Sequence, residues 1–456
     1  MLSTPNEYTR QDLLIPCDLL IEPRWLIPVE PEGAIYTDYA IAVSGTQIIA
    51  IGPAQELRLR YAAAQHIKLP EHALMPGLVN SHTHAAMSLM RGLADDLPLM
   101  RWLSEHIWPT EAKHISAEFV RDGVRLAIAE QLCGGVTTMQ DMYFYSEVVA
   151  ETAIAMGMRA VVGAIVLEFP SAYAANADEY FAKGLALIER YQKHSLISVA
   201  WAPHAPYTVS DASFARIRDL SDQLDVRVHC HIHETAGEVA DSVAQFGMRP
   251  LARLDQLGLL NARLSAVHMT QLTRDEIQRV SETGVSVLHC PESNLKLASG
   301  FCPAQALLDA GVNLALGTDG CASNNDLDLL GELKTAALLA KAVAGDATAL
   351  NAARALTMAT LGGAKALGLA DQIGSLTPGK QADLVAIRFD EFDSLPVYNA
   401  ISQIVYTSHR RQVSDVWVAG QARVRGGILL DVDCKALAAN ARSWGARIAD
   451  ANGVTL

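Results

Sequence analysis

Two histidines separated by one residue, His82-Thr83-His84, follow the apolar pair Leu78-Val79 and the polar pair Asn80-Ser81. Alternate side chains of an extended segment point the same way, so both imidazoles can reach one ion. Alone, such a pair is as readily a chance loop feature or a satisfied core. A second cluster, His229-Cys230-His231-Ile232-His233-Glu234, follows Val228. Its three histidines at alternate positions cannot all be ligands if the strand ends within the run. Three further apolar runs end on a histidine or an acid: Val267-His268, Leu288-His289 and Leu316-Gly317-Thr318-Asp319. One such residue is ordinarily a hydrogen-bonded core group. A whole series of strand ends carrying them points to a common centre. Neutral imidazoles plus one carboxylate are the donors of hydrolytic zinc, which keeps a position open for water and lowers its pKa to about 7.

Such side chains meet only if the elements beneath them are regular. The stretch from about Pro76 to Gly374 alternates short apolar runs with helical patterns. The spacing predicts a helix capped by Ser116, with an apolar stripe of Val120, Val124, Ala127 and Leu132 and a stop at Gly134-Gly135. Strands are expected at 136–139, 197–201, 226–229, 264–267, 285–288 and 312–316. This repetition predicts a parallel (β/α)8 TIM-type barrel, in which all C-terminal strand ends open on one face. An open doubly wound sheet is the alternative, and neither GxGxxG nor GxxxxGK[ST] is present to support it. The chain ends read as short strands at 19–21, 40–43, 48–51, 383–387 and 413–418, with an Ala-rich helical segment from Lys435. We expect a small β-sandwich domain from residues 1–75 and 377–456 around a barrel spanning 76–376.

The segment Pro76 to His84, the pair His231 and Glu234, His268, Thr318-Asp319 and the segment Gly374 to Leu384 together resemble the amidohydrolase superfamily, in its branch of aromatic-ring deaminases and chlorohydrolases. The likeness spans nearly the whole chain. It implies one divalent ion, zinc before iron or manganese, held by His82, His84, His231 and Asp319. No lysine stands in this set, so a carboxylated-lysine bridge to a second ion is not implied. The resemblance also implies roles. Asp319 takes the proton of the attacking water, His268 orients or stabilises the developing hydroxide, and Glu234 protonates the ring nitrogen beside the attacked carbon before ammonia leaves. His229 and His233 are left as structural neighbours.

Within that branch, Arg91 to Leu97, Trp102-Leu103, Trp108-Pro109-Thr110-Glu111, Ala202 to Tyr207 and Ser293 to Leu297 are similar to the 5-methylthioadenosine/S-adenosylhomocysteine deaminases. The likeness implies that Glu111 accepts hydrogen bonds from ribose hydroxyls and that His204 contacts the nucleoside. Each residue has a plainer alternative: Glu111 as a solvated surface acid, His204 as a rigid loop residue, and Trp102 as an ordinary helix face rather than a purine stack. One departure bears on the substrate. Some members carry an arginine for the substrate's far end, and residues 161–180 here contain none. Methylthioadenosine or adenosine is therefore favoured over S-adenosylhomocysteine. A guanine-type deaminase and an s-triazine chlorohydrolase are the alternatives, because the same ligand set serves any electron-poor ring carbon.

The chain has 456 residues, 50% of them hydrophobic, and a net charge of -14, which argues against nucleic acid or anionic membrane as a partner. Seven scattered cysteines without a CxxC pair indicate no disulfide framework, so a reducing cytoplasm is expected. Met1-Leu2-Ser3-Thr4-Pro5 does not open a basic segment followed by an apolar run, so no leader is expected, and no apolar run reaches the roughly 20 residues of a membrane helix. A small-molecule substrate and, by resemblance, a homo-oligomer are expected. A catalytically empty scaffold would have shed ligands that are all present, and a cytidine-type zinc deaminase would need a Pro-Cys-x-x-Cys that is absent.

Overall fold

The computed structural model describes residues 14–453. Met1–Pro5, from which the absence of a leader is expected, lie outside the described residues. Strands β1 (Ile15–Leu26), β2 (Tyr39–Ser44), β3 (Gln47–Pro53) and β4 (Tyr61–Pro76) come first. Eight parallel strands follow and pair in chain order: β5 (Leu78–Thr83), β6 (Val136–Asp141), β7 (Arg159–Val166), β8 (Ile197–Pro203), β9 (Val228–Ile232), β10 (Leu264–His268), β11 (Ser286–His289) and β12 (Leu314–Leu316). Helices between them cover the outer face, which is why these strands are buried on both sides and read as short apolar runs. This is the expected (β/α)8 barrel. The predicted N-cap also forms: Ser116 accepts the Phe119 N–H at 3.2 Å, and the helix Ala117–Cys133 stops at Gly134.

The ring closes between β5 and β12. Asp319 N–H donates to the His82 carbonyl at 3.0 Å, and Thr318 N–H donates to Asn80 Oδ1 at 3.0 Å. Gly317 permits this approach. A Cβ there would lie 2.8 Å from both the Cβ and the backbone nitrogen of His82, closer than real side chains come.

Strands β13 (Leu384–Arg388), β14 (Val413–Val418), β15 (Gln421–Arg425) and β16 (Ile428–Leu429) join β1–β4 in a second sheet of order β16-β15-β14-β13-β4-β1-β2-β3. Its two halves share a core in which Ile21, Ile41 and Ile48 meet Leu384 and Trp417. A buried ion pair ties this sheet to the barrel: Arg159 Nε meets Asp383 Oδ2 at 2.8 Å. The closing helix Cys434–Asn452 returns to the barrel, where Trp444 Nε1 donates to Asp122 Oδ2 at 2.9 Å. Among the described residues no helix is long and apolar enough to cross a membrane.

Three strands depart from expectation: β7 is not among the expected strands, β12 begins at Leu314 rather than at 312, and β9 is shifted. β9 covers 228–232 rather than 226–229, because Asp225, in the left-handed region at φ 51°, ends the helix Asp211–Leu224 and the next residues complete the turn. His229 and His231 are thereby both inside the strand and on one face of it.

Candidate metal centre and cavity

At the C-terminal face of the barrel, His82 and His84 at the end of β5, His231 on β9 and Asp319 just beyond β12 converge. His82 Nε2 and His84 Nε2 lie 3.2 and 3.3 Å from Asp319 Oδ1, and His231 Nε2 lies 3.2 Å from His82 Nε2. Donors around one tetrahedral ion with bonds of about 2.0–2.1 Å stand roughly 3.3 Å apart. The outer ring nitrogens settle which atoms face inward. His84 Nδ1 donates to the Met142 carbonyl at 2.6 Å and His231 Nδ1 to the His204 carbonyl at 2.7 Å. A carbonyl only accepts, so in the neutral imidazoles both Nε2 atoms carry lone pairs; without an ion, and against the lowering effect of burial, Asp319 raises His84 to about 9, which places a proton where a cation would sit. Burial also holds His231 well below its usual pKa and brings His82 to about 4, against the raising effect of Asp319. Lone pairs and a carboxylate turned on one point repel each other, and a divalent cation relieves that repulsion. The residues fit such an ion.

The groups that would handle protons stand around this point. Glu234 follows β9 and is anchored through its own N–H, which donates to Glu238 Oε2 at 2.7 Å. Burial raises its carboxyl above the ordinary range; nearby His268 opposes the shift and Asp319 adds to it. His268 Nδ1 donates to Asn294 Oδ1 at 2.9 Å, leaving Nε2 free to accept, 3.8 Å from Glu234 Oε2. Asp319 Oδ2 accepts from Ser293 Oγ at 2.6 Å and Ser323 Oγ at 2.9 Å. His268 and Asp319 adopt φ values of 73° and 61°, strain of a kind concentrated at working sites.

Above these groups opens a cavity of 740 Å³, with His84, His231, Glu234, His268 and Asp319 in its lining. Glu111, Trp102 and His204 line it too. Glu111 is therefore in a cavity wall and not on the outer surface. It accepts the Tyr143 O–H at 2.6 Å, and burial lifts its pKa to about 7 against that hydrogen bond. Trp102 is 5% exposed within the π-helical turn Trp102–Ile107, a distortion frequent at functional sites. His204 contacts Thr208 Oγ through Nδ1 at 3.0 Å, and burial lowers it to about 3, so it faces the cavity neutral. Most of the remaining wall is apolar, with Leu103, Ile107, Leu167 and Phe169, and no lysine or arginine lines it among the described residues.

The other histidines part company with this cluster. His233 Nε2 accepts the Leu251 N–H at 3.1 Å, a structural role. His289 is buried, and that burial lowers it to about 3. His229 is different: its Nε2 lies 2.8 Å from His82 Nδ1. The sequence holds a signal for this contact in the two-residue spacing from His231. Tyr143 and Ser323 carry no local signal at all.

Comparison with known proteins agrees with the geometry. Residues 73–423 match the amidohydrolase family. A 5-methylthioadenosine/S-adenosylhomocysteine deaminase of Teredinibacter turnerae is 49% identical over 427 residues, which cover 94% of this chain and 97% of that protein. The crystal structure of an adenosine deaminase from Xanthomonas campestris with bound zinc superposes with a TM-score of 0.95 at 57% identity, covering 96% of this chain and 100% of that one. Atrazine chlorohydrolase from Arthrobacter aurescens, complexed with zinc, has a TM-score of 0.86 at 25% identity and covers 93% of this chain and 99% of that one. The fold, the convergent donors and these likenesses lead to one assignment: the chain belongs to the amidohydrolase family, among the 5-methylthioadenosine/S-adenosylhomocysteine deaminases.

Proposed function

We propose that this chain hydrolyses the exocyclic amine of adenine nucleosides, releasing ammonia, and that it prefers substrates with an uncharged 5′ group such as methylthioadenosine. The observation that carries this reading is the meeting of two donor groups that share His82, one with His84 and Asp319 and one with His231 and His268, beside Glu234 on the floor of a cavity walled by Glu111. A single divalent ion, zinc in our reading, held by His82, His84, His231 and Asp319, would supply the Lewis acid that makes hydroxide available from water near neutral pH. Asp319 takes the proton of the attacking water, with its Oδ2 held by Ser293 and Ser323. His268 uses its Nε2 lone pair to orient that water. Glu234, which burial keeps protonated to higher pH than a free carboxyl, donates to the ring nitrogen beside the attacked carbon. The apolar wall excludes bulk solvent around the ring. Seven free cysteines, five of them buried, support a reducing, cytoplasmic setting.

Glu111 fits the ribose diol, since one carboxylate can accept two hydrogen bonds and Tyr143 holds it in place. Glu111→Ala is expected to raise KM for nucleosides about 10- to 100-fold, the worth of hydrogen bonds to a charged group, and to leave free adenine unchanged. Steady-state kinetics on both substrates check this; equal losses would remove the ribose role. A homocysteine carboxylate entering a wall without a cation would be left unpaired, at a cost of several kcal/mol unless it reaches solvent. Ammonia release over a panel of methylthioadenosine, S-adenosylhomocysteine, adenosine, guanine and a chlorotriazine tests the whole reading. Adenine nucleosides should be turned over, methylthioadenosine better than S-adenosylhomocysteine. Guanine or the triazine as the best substrate would refute it.

A further inference from the structure

We infer that His229 is a positioning residue for the metal centre: it holds the proton of His82 on Nδ1, so that His82 presents Nε2 to the ion. His84 and His231 hand their outer protons to backbone carbonyls, partners that only accept. His82 instead faces another imidazole, His229 Nε2 at 2.8 Å, with the ring planes 28° apart and the rings edge to edge, as an N–H···N bond requires. Both side chains are fully buried, so one proton must lie between the two nitrogens and no solvent stands in for a missing partner. With that proton on His82, its Nε2 is a ligand and His229 carries its own proton on Nδ1. With the proton on His229, His82 is protonated on Nε2 and cannot ligate.

The first arrangement is favoured by the donor set itself: His82 Nε2 lies 3.2 Å from both Asp319 Oδ1 and His231 Nε2, where an ion needs a lone pair, and the acceptor behind it is His229. Its Nδ1 has no hydrogen-bond partner among the described residues. His229 lines a second cavity, of 290 Å³, at the N-terminal ends of β7–β10 and so at the opposite end of the barrel from the substrate. Gln140, Ser198 and Ser265 line the same space, so the flank of His229 away from the ion is polar. The imidazole pair thus runs from the ion to a polar chamber beneath it. His229 never touches substrate and acts only through His82.

This inference rests on the metal set proposed above, and the experiment separates the two. Full-length parent, His229→Leu and His229→Gln are compared for zinc affinity by chelator competition and for melting temperature without metal. Leucine cannot accept a hydrogen bond, whereas glutamine Oε1 can replace the imidazole acceptor. His229→Leu should lose about 10- to 100-fold in zinc affinity, the usual cost of an outer partner, while His229→Gln stays within roughly 3-fold of the parent. The metal-free melting temperature of His229→Leu should not fall, which a merely structural role would not allow. Parent-like affinity in His229→Leu, or equal weakness in both variants, overturns the inference and leaves the metal set standing. A parent that binds no zinc overturns both. If the leucine variant does not fold, nitrogen-15 spectra of zinc-loaded, histidine-labelled parent decide: a proton on His229 Nδ1 supports the inference, and one on Nε2 overturns it.

Discussion

His231→Ala should purify without stoichiometric metal and without measurable turnover. The residue offers one of the converging donors, 3.2 Å from His82 Nε2, and its outer nitrogen is locked on the His204 carbonyl. Alanine removes the donor and leaves the set one imidazole short. Water without a Lewis acid has a pKa of about 15.7 rather than about 7, so residual activity should be on the order of 10⁻⁴ of the parent or less. His233→Ala, two residues away, is the matched control: its Nε2 serves the Leu251 N–H, so metal content should persist even where stability falls. Metal analysis of the two purified variants reads this directly. A full equivalent of ion in His231→Ala would break the assignment.

Glu234→Gln should separate binding from chemistry. The amide has nearly the shape of the acid, and the Glu234 N–H bond to Glu238 does not involve the changed atoms. Metal content and KM should therefore stay close to those of the parent. What disappears is a carboxylic proton donor in a buried site, and kcat should fall by a factor on the order of 100 or more. Parallel metal analysis and kinetics check it; a variant with parent-like kcat would take the proton-donor role away from Glu234.

The parts of this centre that the sequence disclosed are those encoded locally. His82 and His84 sit two apart on one strand, and Asp319 ends an apolar run, so residue type and spacing suffice to mark them. Strand β7 was harder to see for a physical reason. The helix Ser146–Met156 is itself apolar and runs into β7 across Gly157 and Met158, so neither a change of period nor a polar break marks the boundary. The limits of β9 depended on Asp225 adopting a left-handed turn, which composition does not dictate. Contacts formed only by closing the barrel were less legible still. His82 meets His229 across 147 residues, and Tyr143, in the loop after β6, reaches Glu111 on the helix Trp108–His114. No local pattern encodes such a meeting; it exists once the strands are in register.

The seam between β5 and β12 has a consequence beyond catalysis. His82 and Asp319 belong to the first and last strands of the ring, joined there by few backbone hydrogen bonds and by the close approach at Gly317. An ion gripped from both sides would work as a removable clasp across more than two hundred residues of intervening chain, where the entropy gained by opening is large. Stripping the ion would then cost the molecule its fastening as well as its reagent.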